Sequence, residues 1–415
     1  MTFGLPDVIA GLAIARELAL VVIASRATRA LSKASGTRAV RMRGRVFIII
    51  PVFREVELVA ECCRFFEDLA RRDGNARVLI CGTIRERVDG VNATMDLAAE
   101  SLRDPGISTA VECPTLYGSK ADQINFALSI IDVIHENDLV GIYDIDSRPD
   151  YNTLSNLRQY ANDEVDIIQQ HAVFLGNIKD IRGNFILLGQ ALYQCRWTLL
   201  HECGRFYLYS KGFIPAVHLV GHGLFVRVRV LRKYGGIPTE TDIEDAHLGF
   251  YASVDNLTIR SLPLFDISDS PNNFRDSFWQ IYGWSKGPRE ASRYAKYYVD
   301  KIKNVPTNWA RLWYVQMATL ATWGRWAITS VVCIVLLTFA VCGNLLAWTW
   351  ILLYGAHLGV ILRRQQKISG QGTPNPLIAT AAVLSWLTIG SAPVLLSWFD
   401  SLANIRRVKY KTTHR

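Results

Sequence analysis

Residues 46–55 read VFIIIPVFRE, and residues 139–146 read LVGIYDID. Each stretch begins with a continuous apolar run rich in β-branched residues, as does VLIC at 78–81, and such runs are typical of parallel strands covered on both faces. Residues 56–71 and 121–134 lie between these runs and have helical periodicity. The alternation of strands and helices predicts an α/β sheet, whose ligands bind at the carboxyl ends of the strands.

Polar residues follow the predicted strands at that edge. Pro51 and Glu55 follow the first strand, and Asp144 and Asp146 follow the last. Two carboxylates one residue apart can meet a divalent cation and a ribose hydroxyl, and their oxygen ligands suit Mg²⁺ or Mn²⁺. An Asp-x-Asp pair is common on any protein surface, but its position directly after a buried strand favours a functional role.

Two later segments carry further candidates. TDIEDAHLGF at 241–250 places Glu244 and Asp245 at a predicted helix start, where acids either serve chemistry or simply favour the helix dipole. GHGLFVR at 221–227 precedes a predicted strand, and Gly223 in it indicates either close approach to a ligand or a β-bulge.

The aromatic-rich segment 274–286 includes Gln280 and Trp284. An amphipathic helix at a membrane interface would explain its Trp and Tyr residues. Trp rings also pack on sugar faces, so a platform for a glycan acceptor is the alternative interpretation.

Composition and charge limit the classes of function. The chain has 415 residues, of which 50% are hydrophobic and 20% charged, too apolar for a disordered protein. The net charge of +9 lies at the ends, because residues 1–45 hold eight basic and two acidic residues and residues 363–415 hold eight basic and one acidic. The body between them is slightly acidic, which argues against nucleic-acid binding and favours ends that face a membrane surface.

The C-terminal region predicts membrane helices. Residues 326–362 contain no Asp, Glu, Lys or Arg and are interrupted by Gly343-Asn344, so helices at about 326–342 and 345–362 would form a hairpin, with a buried core hairpin as the alternative. Residues 368–399 contain a further helix, about 378–399, that is either a crossing, which we favour, or a re-entrant element.

The N-terminal apolar stretch is divided by Arg16 and Glu17, and it is either a membrane helix with an ion pair or a helix in the interface. The basic residues that follow it place the soluble body in the cytoplasm. The eight cysteines include no CxxC pair, as expected for reduced thiols there.

Five motifs, taken in order, resemble the membrane-bound family-2 glycosyltransferases, the group of cellulose, chitin and hyaluronan synthases and many bacterial polysaccharide and glycolipid glycosyltransferases. They are IPVFRE, GSKADQINFAL, YDIDSRPD, IEDAHLGF and WQIYGWSKGP. The resemblance covers about residues 46–288 together with the C-terminal membrane helices. It implies a Rossmann-like GT-A domain of the α/β class with α-helical transmembrane segments, which transfers sugar from a nucleoside-diphosphate sugar with inversion.

The candidate site follows from these motifs. The resemblance implies that Pro51, Glu55, Thr83, Lys120 and Asp144 bind the nucleotide sugar, with Lys120 near the diphosphate. Asp146, assisted by Asp144, would bind the metal, Mn²⁺ or Mg²⁺. Asp245 would be the base for the acceptor, with Glu244 as a second catalytic candidate. Gly223, Gln280 and Trp284 would bind the acceptor.

Two departures from the family pattern stand out. Gly283 occupies the position of the family's Arg in the last motif, so Lys286 or Arg289 is a candidate for the missing diphosphate cation. Cys81-Gly82-Thr83 replaces the acidic pair of the second strand and is followed by Glu86. The nucleotide base is therefore open, and a UDP-sugar is favoured.

The domain organisation follows from the same patterns. Residues 1–44 would form an N-terminal membrane or interfacial helix and a basic linker. Residues 45–306 would form the cytoplasmic glycosyltransferase domain, with interface helices near 274–300. Residues 307–415 would form the C-terminal transmembrane region and a basic tail.

The predicted function is transfer of a sugar to a hydroxyl of a growing polysaccharide or glycan. The alternatives are single addition to a glycolipid or polyprenyl-linked acceptor and, from another class, a non-catalytic membrane scaffold. The expected partners are the donor, a lipid or polysaccharide acceptor and membrane lipid, with no nucleic acid, and a homo-oligomer could complete a channel. The expected location is the plasma or inner membrane, as an integral membrane protein.

Overall fold

A computed structural model describes residues 4–34, 42, 44–115, 118–162, 164–301, 308–370 and 372–403. Most of the basic linker after residue 34, the predicted boundary at residues 306 and 307, and the basic tail after residue 403 lie outside the described residues.

The centre of the described structure is an eight-stranded mixed sheet. The strand bounds are β1 Val46–Pro51, β2 Ala76–Thr83, β3 Ser108–Cys113, β4 Leu139–Ile142, β5 Arg148–Pro149, β6 Ile167–Val173, β7 Leu224–Arg227 and β8 Ile259–Ile267. The strand order in the sheet is β3-β2-β1-β4-β7-β6-β8-β5. Strands β1 to β4 are parallel neighbours, β7 runs antiparallel to β4 and β6, and β8 pairs in parallel with β6.

Helices surround the sheet and continue beyond it. The helix bounds are α1 Leu5–Ala34, α2 Val56–Asp73, α3 Ala93–Ser101, α4 Lys120–Ser129, α5 Thr153–Tyr160, α6 Ile178–Ile181, α7 Phe185–Arg196, α8 Cys203–Ser210, α9 Val228–Tyr234, α10 Glu244–Val254, α11 Phe274–Arg289, α12 Ala291–Lys301, α13 Trp309–Val341, α14 Leu345–Ser369, α15 Pro376–Ile389 and α16 Ala392–Leu402. A 3₁₀ turn at Ile84–Glu86 follows β2, and a π-helical turn at Trp197–Glu202 joins α7 to α8.

Strand β1 shows why the apolar runs form central strands. All its residues are buried, and they alternate between two cores. Phe47 and Ile49 pack into the core on one face of the sheet, whereas Ile48 and Ile50 pack into the core on the other. A strand that is covered on both faces needs apolar residues at every position, so the continuous run is explained.

The structure differs from the sequence expectations within the sheet domain. The edge strand β3 and helix α3 were not predicted, because only the end residues of β3, Ser108 and Cys113, are buried and the strand lacks a continuous apolar run. Helix α4 ends at Ser129 and not at residue 134. The predicted strand 139–146 ends at Ile142, because the chain turns where the Ser147 amide donates to the Asp144 carbonyl at 3.1 Å.

The predicted hairpin of apolar helices is present as α13 and α14. Its turn lies at Gly343, whose φ of +87° favours glycine, and Asn344 caps α14 by accepting from the Ala347 amide. Helix α13 begins at Trp309, well before the predicted residue 326. Arg311 is accommodated there because its Nε donates to the Ser253 carbonyl at 2.8 Å.

The last apolar segment is two helices and not one. α15 and α16 are separated at Gly390 and Ser391. Ser391 Oγ donates to the Trp326 carbonyl at 2.8 Å, and its amide donates to Ser330 Oγ at 2.9 Å. These bonds attach the break to α13, and they provide hydrogen-bond partners for polar groups that an apolar environment would leave unsatisfied.

Four stretches of the described residues are long and apolar enough to cross a membrane, judged by length and composition. They are Leu5–Ala30, Trp309–Val341, Leu345–Arg364 and Pro376–Leu402. This property is consistent with a membrane protein. All eight cysteines are free, and seven of them are buried.

Glu17 in the first of these stretches connects α1 to the rest of the chain. Its carboxylate is completely buried and bonds to the guanidinium of Arg196 in α7. Arg16 lies 3.2 Å and His357 of α14 lies 3.6 Å from the same carboxylate. The ion pair expected within the helix is therefore mainly a contact between helices.

Candidate active site

Lys120 joins two of the predicted motifs. It is the first residue of α4, which begins with a capping box in which Ser119 and Asp122 satisfy each other's backbone amides. The Lys120 ammonium donates to Asp144 Oδ1 at 2.6 Å and to the Gly221 carbonyl at 2.8 Å. A helix N-terminus with a lysine on its first turn is suited to bind a phosphate.

The acidic pair at the start of α10 lies on the other side of this lysine. Glu244 Oε1 is 4.0 Å from Lys120 Nζ. Asp245 Oδ1 accepts from the Ala246 amide at 2.6 Å. A β-carbon on Gly221 would lie 3.0 Å from Asp245 Oδ2 and 3.2 Å from Lys120 Nζ, so any larger residue would force these side chains to move from their present positions.

The pKa values of Asp245 and Lys120 suit a site that accepts a proton and binds an anion. Burial, and then the charge of Glu244, raises the pKa of Asp245 to about 7, against the opposing effect of Lys120. Burial alone would lower the pKa of Lys120, but Asp144 and Glu244 raise it overall, so the lysine remains a cation. A carboxyl with a pKa near neutrality in a cleft is a candidate general base.

Asp146 lies deeper, with 5% of its surface exposed. Its Oδ2 accepts from the Asp269 amide at 3.3 Å. Close by, His222 Nδ1 is 3.4 Å from the carboxylate of Asp266, which is completely buried. Burial would lower the pKa of His222, but the neighbouring Asp266 carboxylate and the charge of Asp144 raise it overall.

The pairing of His222 with Asp266 was not found from the sequence. His222 lies inside the glycine motif at 221–223, but Asp266 lies at the end of β8, far along the chain. The two meet because β8 and β7 both neighbour β6. No local spacing could signal this contact.

The capacity of the site for a metal rests on the two carboxylates after β4. In the ranges that the structure describes, no group of three or more His, Cys, Asp or Glu side chains is arranged to hold a metal ion. Mg²⁺ usually binds one or two carboxylates and takes its other ligands from water and substrate phosphate. Asp144 and Asp146 provide the oxygen donors that such an open site requires.

Two of the predicted acceptor residues, Gln280 and Trp284, lie on α11. Gln280 Oε1 accepts from Gln190 Nε2 at 3.4 Å. The Trp284 ring lies 6.0 Å from Phe174, whose ring in turn meets His222 edge-on at 5.7 Å. Trp284 is thus linked to the carboxylate region through two ring contacts.

The position of the missing arginine is sterically free. A β-carbon on Gly283 would have no atom within 4 Å, so the backbone there leaves open space. Lys286 Nζ donates to Asp242 Oδ2 at 3.1 Å, close in sequence to Glu244 and Asp245. Arg289 instead donates to the Ser397 carbonyl of α16. Of the two replacements considered, Lys286 is the one directed to the loop that leads into α10.

Two candidates have contacts that point away from a ligand. Thr83 is 1% exposed, donates to the Thr115 carbonyl and caps the 3₁₀ turn by accepting from the Arg85 amide. Gly223 has a φ of +61°, and a β-carbon on it would lie 2.6 Å from the Gln170 carbonyl. Gly223 is required by the approach of β6, and the glycine beside Lys120 and Asp245 is Gly221.

The loop after β1 is shaped by a residue that follows β2. Glu86 Oε2 accepts from the Arg54 amide at 2.7 Å, which holds Arg54 at a φ of +57°. Glu55 Oε2 accepts from the Phe53 amide at 3.1 Å, and Pro51 is buried as the last residue of β1. Glu86 therefore positions the loop that carries two predicted nucleotide residues.

Solved structures of similar fold include the mannosyltransferase PcManGT from Pyrobaculum calidifontis in complex with GDP-Man and Mn²⁺. It is 16% identical, with 96% of this chain and 100% of that chain covered and a TM-score of 0.51. S. aureus TarS 1-349 in complex with UDP-GlcNAc is 13% identical, with 85% and 92% covered and a TM-score of 0.45. A comparison with curated proteins gives no match.

The family comparison covers most of the site and the helices that follow it. The model described as glycosyl transferase family group 2 matches residues 139–362, more than half of the chain. This range includes the carboxylates after β4, the start of α10 and the α13–α14 hairpin. The mixed sheet confirms the predicted α/β class as a GT-A-like fold, and the chain belongs to glycosyl transferase family group 2.

Proposed function

We propose that this protein transfers a sugar, with inversion, from a nucleoside-diphosphate sugar to a hydroxyl of a membrane-held glycan or polysaccharide. The observation that carries the proposal is the meeting of Lys120, Asp144 and Asp245 around Gly221. These residues come from three motifs that are distant in sequence. A half-buried cation beside a carboxylate with a pKa near 7 matches the two needs of the reaction.

The first need is to bind the charged leaving group. Lys120 and the N-terminus of α4 provide positive charge for the diphosphate, and the Asp144–Lys120 contact would open to admit it. Pro51 and Glu55 lie on the neighbouring loop and would contact the nucleotide. We favour a UDP-sugar as donor.

The donor site would include a divalent cation, Mn²⁺ or Mg²⁺, held by Asp146 and Asp144. A bound cation would neutralise the negative charge of the departing diphosphate. The chemistry of the two carboxylates and the Mn²⁺ in the complex of PcManGT support this assignment.

The second need is to remove the acceptor's proton. Asp245 would accept this proton as the hydroxyl oxygen bonds to the anomeric carbon and the bond from that carbon to the diphosphate oxygen breaks. Inversion in one displacement requires the base and the leaving group on opposite faces of the sugar. Glu244 would assist by keeping the pKa of Asp245 high.

The acceptor would bind beside α11. Trp284 offers a ring face and Gln280 an amide to a glycan, and Lys286 would face the diphosphate in place of the absent arginine. A growing polysaccharide is the acceptor we favour, in a protein of the synthase group. Single addition to a glycolipid or polyprenyl-linked acceptor is the second candidate, favoured by the open space at Gly283.

The membrane stretches would keep this site at the bilayer, with the catalytic domain on the cytoplasmic side of a plasma or inner membrane. The basic residues around the apolar segments support that orientation. A scaffold without catalysis would not need the cluster of Lys120, Glu244 and Asp245. Association of chains would enlarge any path for a polymer.

The test uses the full chain in detergent with a panel of nucleotide sugars and Mn²⁺. We expect release of UDP or GDP that depends on donor and acceptor, is stopped by EDTA and is restored by Mn²⁺. Product size then separates polymerisation from single addition. Asp68→Asn is the matched control, since Asp68 is an exposed acid paired with Arg71 away from the site. Failure of every donor to release nucleotide would refute the proposal.

A further inference from the structure

A group of cationic side chains lies where the catalytic domain meets the membrane helices. Arg205 of α8 and Arg325 of α13 both donate to Thr322 Oγ1, at 3.3 and 3.1 Å. Arg16 of α1 extends the group through His201, since its guanidinium is 3.4 Å from His201 Nε2. We call Arg16, Arg205 and Arg325 the cation cluster. Two arginines that share one hydroxyl bring like charges close together.

The charge of this cluster is poorly compensated within the described residues. No Asp or Glu in that part of the chain lies within 4.0 Å of the guanidinium of Arg205 or Arg325. Arg16 contacts Glu17, but that carboxylate is already bonded to Arg196. Arg205 is partly withdrawn from water, and a cation in that position without a counter-charge is costly unless an anion joins it.

Buried hydrogen-bond donors without a partner also indicate that the cluster binds an anion. Arg205 Nε and the nearby His218 Nε2 are buried, with no hydrogen-bond partner among the described residues. Burial, and then the charge of Arg325, lowers the pKa of Arg205 to about 10, which leaves it charged at neutral pH. Burial and the same arginines lower the pKa of His218 to about 3, so His218 is neutral. A ligand with several acceptor oxygens would satisfy these groups.

The position of the cluster indicates the source of such an anion. Arg16 and Arg325 lie on stretches that could cross a membrane, and both side chains are exposed. His218 is three residues before Gly221, so their Cα atoms are at most about 11 Å apart. The cluster therefore lies between the membrane helices and the reacting groups, whereas Lys120 serves the donor.

We propose that the cation cluster binds the phosphate of a lipid-linked acceptor and so presents its sugar hydroxyl to Asp245. The inference rests on the proposed sugar transfer and selects the lipid-linked acceptor, the second candidate above, over the polysaccharide, because a neutral polysaccharide offers no anion to these residues. The phosphate would accept from the Arg205 and Arg325 guanidinium groups, and charge-assisted bonds of this kind are strong and specific. The lipid chain would lie along α1 and α13.

The experiment measures binding to the full chain in detergent micelles by native mass spectrometry. The probes are dioctanoyl phosphatidic acid, dioctanoylglycerol, which lacks the phosphate, and inorganic phosphate. Arg325→Gln removes one cation, and Arg325→Glu reverses it. Arg232→Gln is the matched control, since Arg232 is exposed and pairs with Glu136 elsewhere on the domain.

We expect phosphatidic acid to bind the wild-type chain at least about tenfold more tightly than dioctanoylglycerol. Arg325→Gln should reduce this preference about tenfold, Arg325→Glu should abolish it, and Arg232→Gln should retain it. The glutamate can pair with Arg205, so the melting temperature of Arg325→Glu should not fall. A loss of binding without a loss of stability would show that the cation acts on the ligand.

Three results would overturn the inference. They are an unchanged preference in both Arg325 variants, binding of inorganic phosphate as tight as that of phosphatidic acid, and a parallel loss of UDP affinity, which would assign the cations to the donor. UDP and GDP binding to the wild-type chain is measured separately. Absence of nucleotide binding would refute the proposed function and leave the lipid result standing.

Discussion

Replacing Asp245 with asparagine tests the assignment of the base. Asparagine has nearly the same size as aspartate but does not take up a proton at neutral pH. General-base catalysis contributes about 10²–10⁴-fold, so we expect kcat to fall by about 10³-fold. UDP affinity should change by less than about twofold, because Lys120 and Asp144 would still bind the donor.

The pH profile gives a second and independent measure. The pKa of Asp245 is about 7, raised by burial and Glu244. A raised carboxyl pKa means that the group stays protonated, and hence inactive as a base, below pH 7. About one molecule in eleven is ionised at pH 6 and about ten in eleven at pH 8, so kcat/KM should rise about tenfold over that range.

Glu244→Gln then tests the cause of the shift. Removing the neighbouring negative charge should lower the pKa of Asp245 and move the rise in kcat/KM to lower pH. The assay follows nucleotide release between pH 5.5 and 9, with Asp68→Asn as the control. The reasoning fails if Asp245→Asn retains substantial transfer, or if the profile of Glu244→Gln moves to higher pH.

Three further substitutions test other parts of the structure. Gly221→Ala would place a β-carbon 3.0 Å from the Asp245 carboxylate, and we expect at least a tenfold loss of kcat with an unchanged melting temperature; full activity would contradict the close approach. Glu17→Gln leaves the Arg196 guanidinium buried without its counter-charge, so stability in detergent should fall by about 3–5 kcal/mol, measured by thermal unfolding; a neutral effect would refute the ion pair as an anchor. Gly283→Arg has space for the new β-carbon and adds a cation near the predicted diphosphate site, so UDP should bind several-fold more tightly in calorimetry, and weaker binding would place the diphosphate elsewhere.

The comparison of sequence and structure is clearest in the sheet. The run at 46–50 could be read as a central strand because both faces of β1 are buried and every residue is apolar. The edge strand β3 could not, since the residues between Ser108 and Cys113 are exposed or partly exposed and form no continuous apolar run. The break within the single helix expected at 378–399 could not be predicted either. Only the tertiary bonds from Ser391 to α13 show that the chain breaks there.

The candidate site shows the same division. Asp144 and Asp245 could be selected because they follow a strand or begin a helix at the ligand-binding edge, and Lys120 because its motif resembles that of the family. Thr83 was selected because it stands in the family's second-strand motif, yet its hydroxyl serves a turn, since a motif position does not reveal which way a side chain points. Arg205 and Arg325 gave no sequence signal, because their neighbours in space are distant in sequence.

The sequence alone determined the α/β class, the order of the motifs and the apolar stretches, because these depend on residue type and local periodicity. Tertiary structure decided that Gly221 and not Gly223 lies beside Asp245, that Glu17 bonds to Arg196, and that three arginines share one region. Those outcomes depend on which strands pair and which helices meet, and a contact between distant residues leaves no mark on the spacing of either.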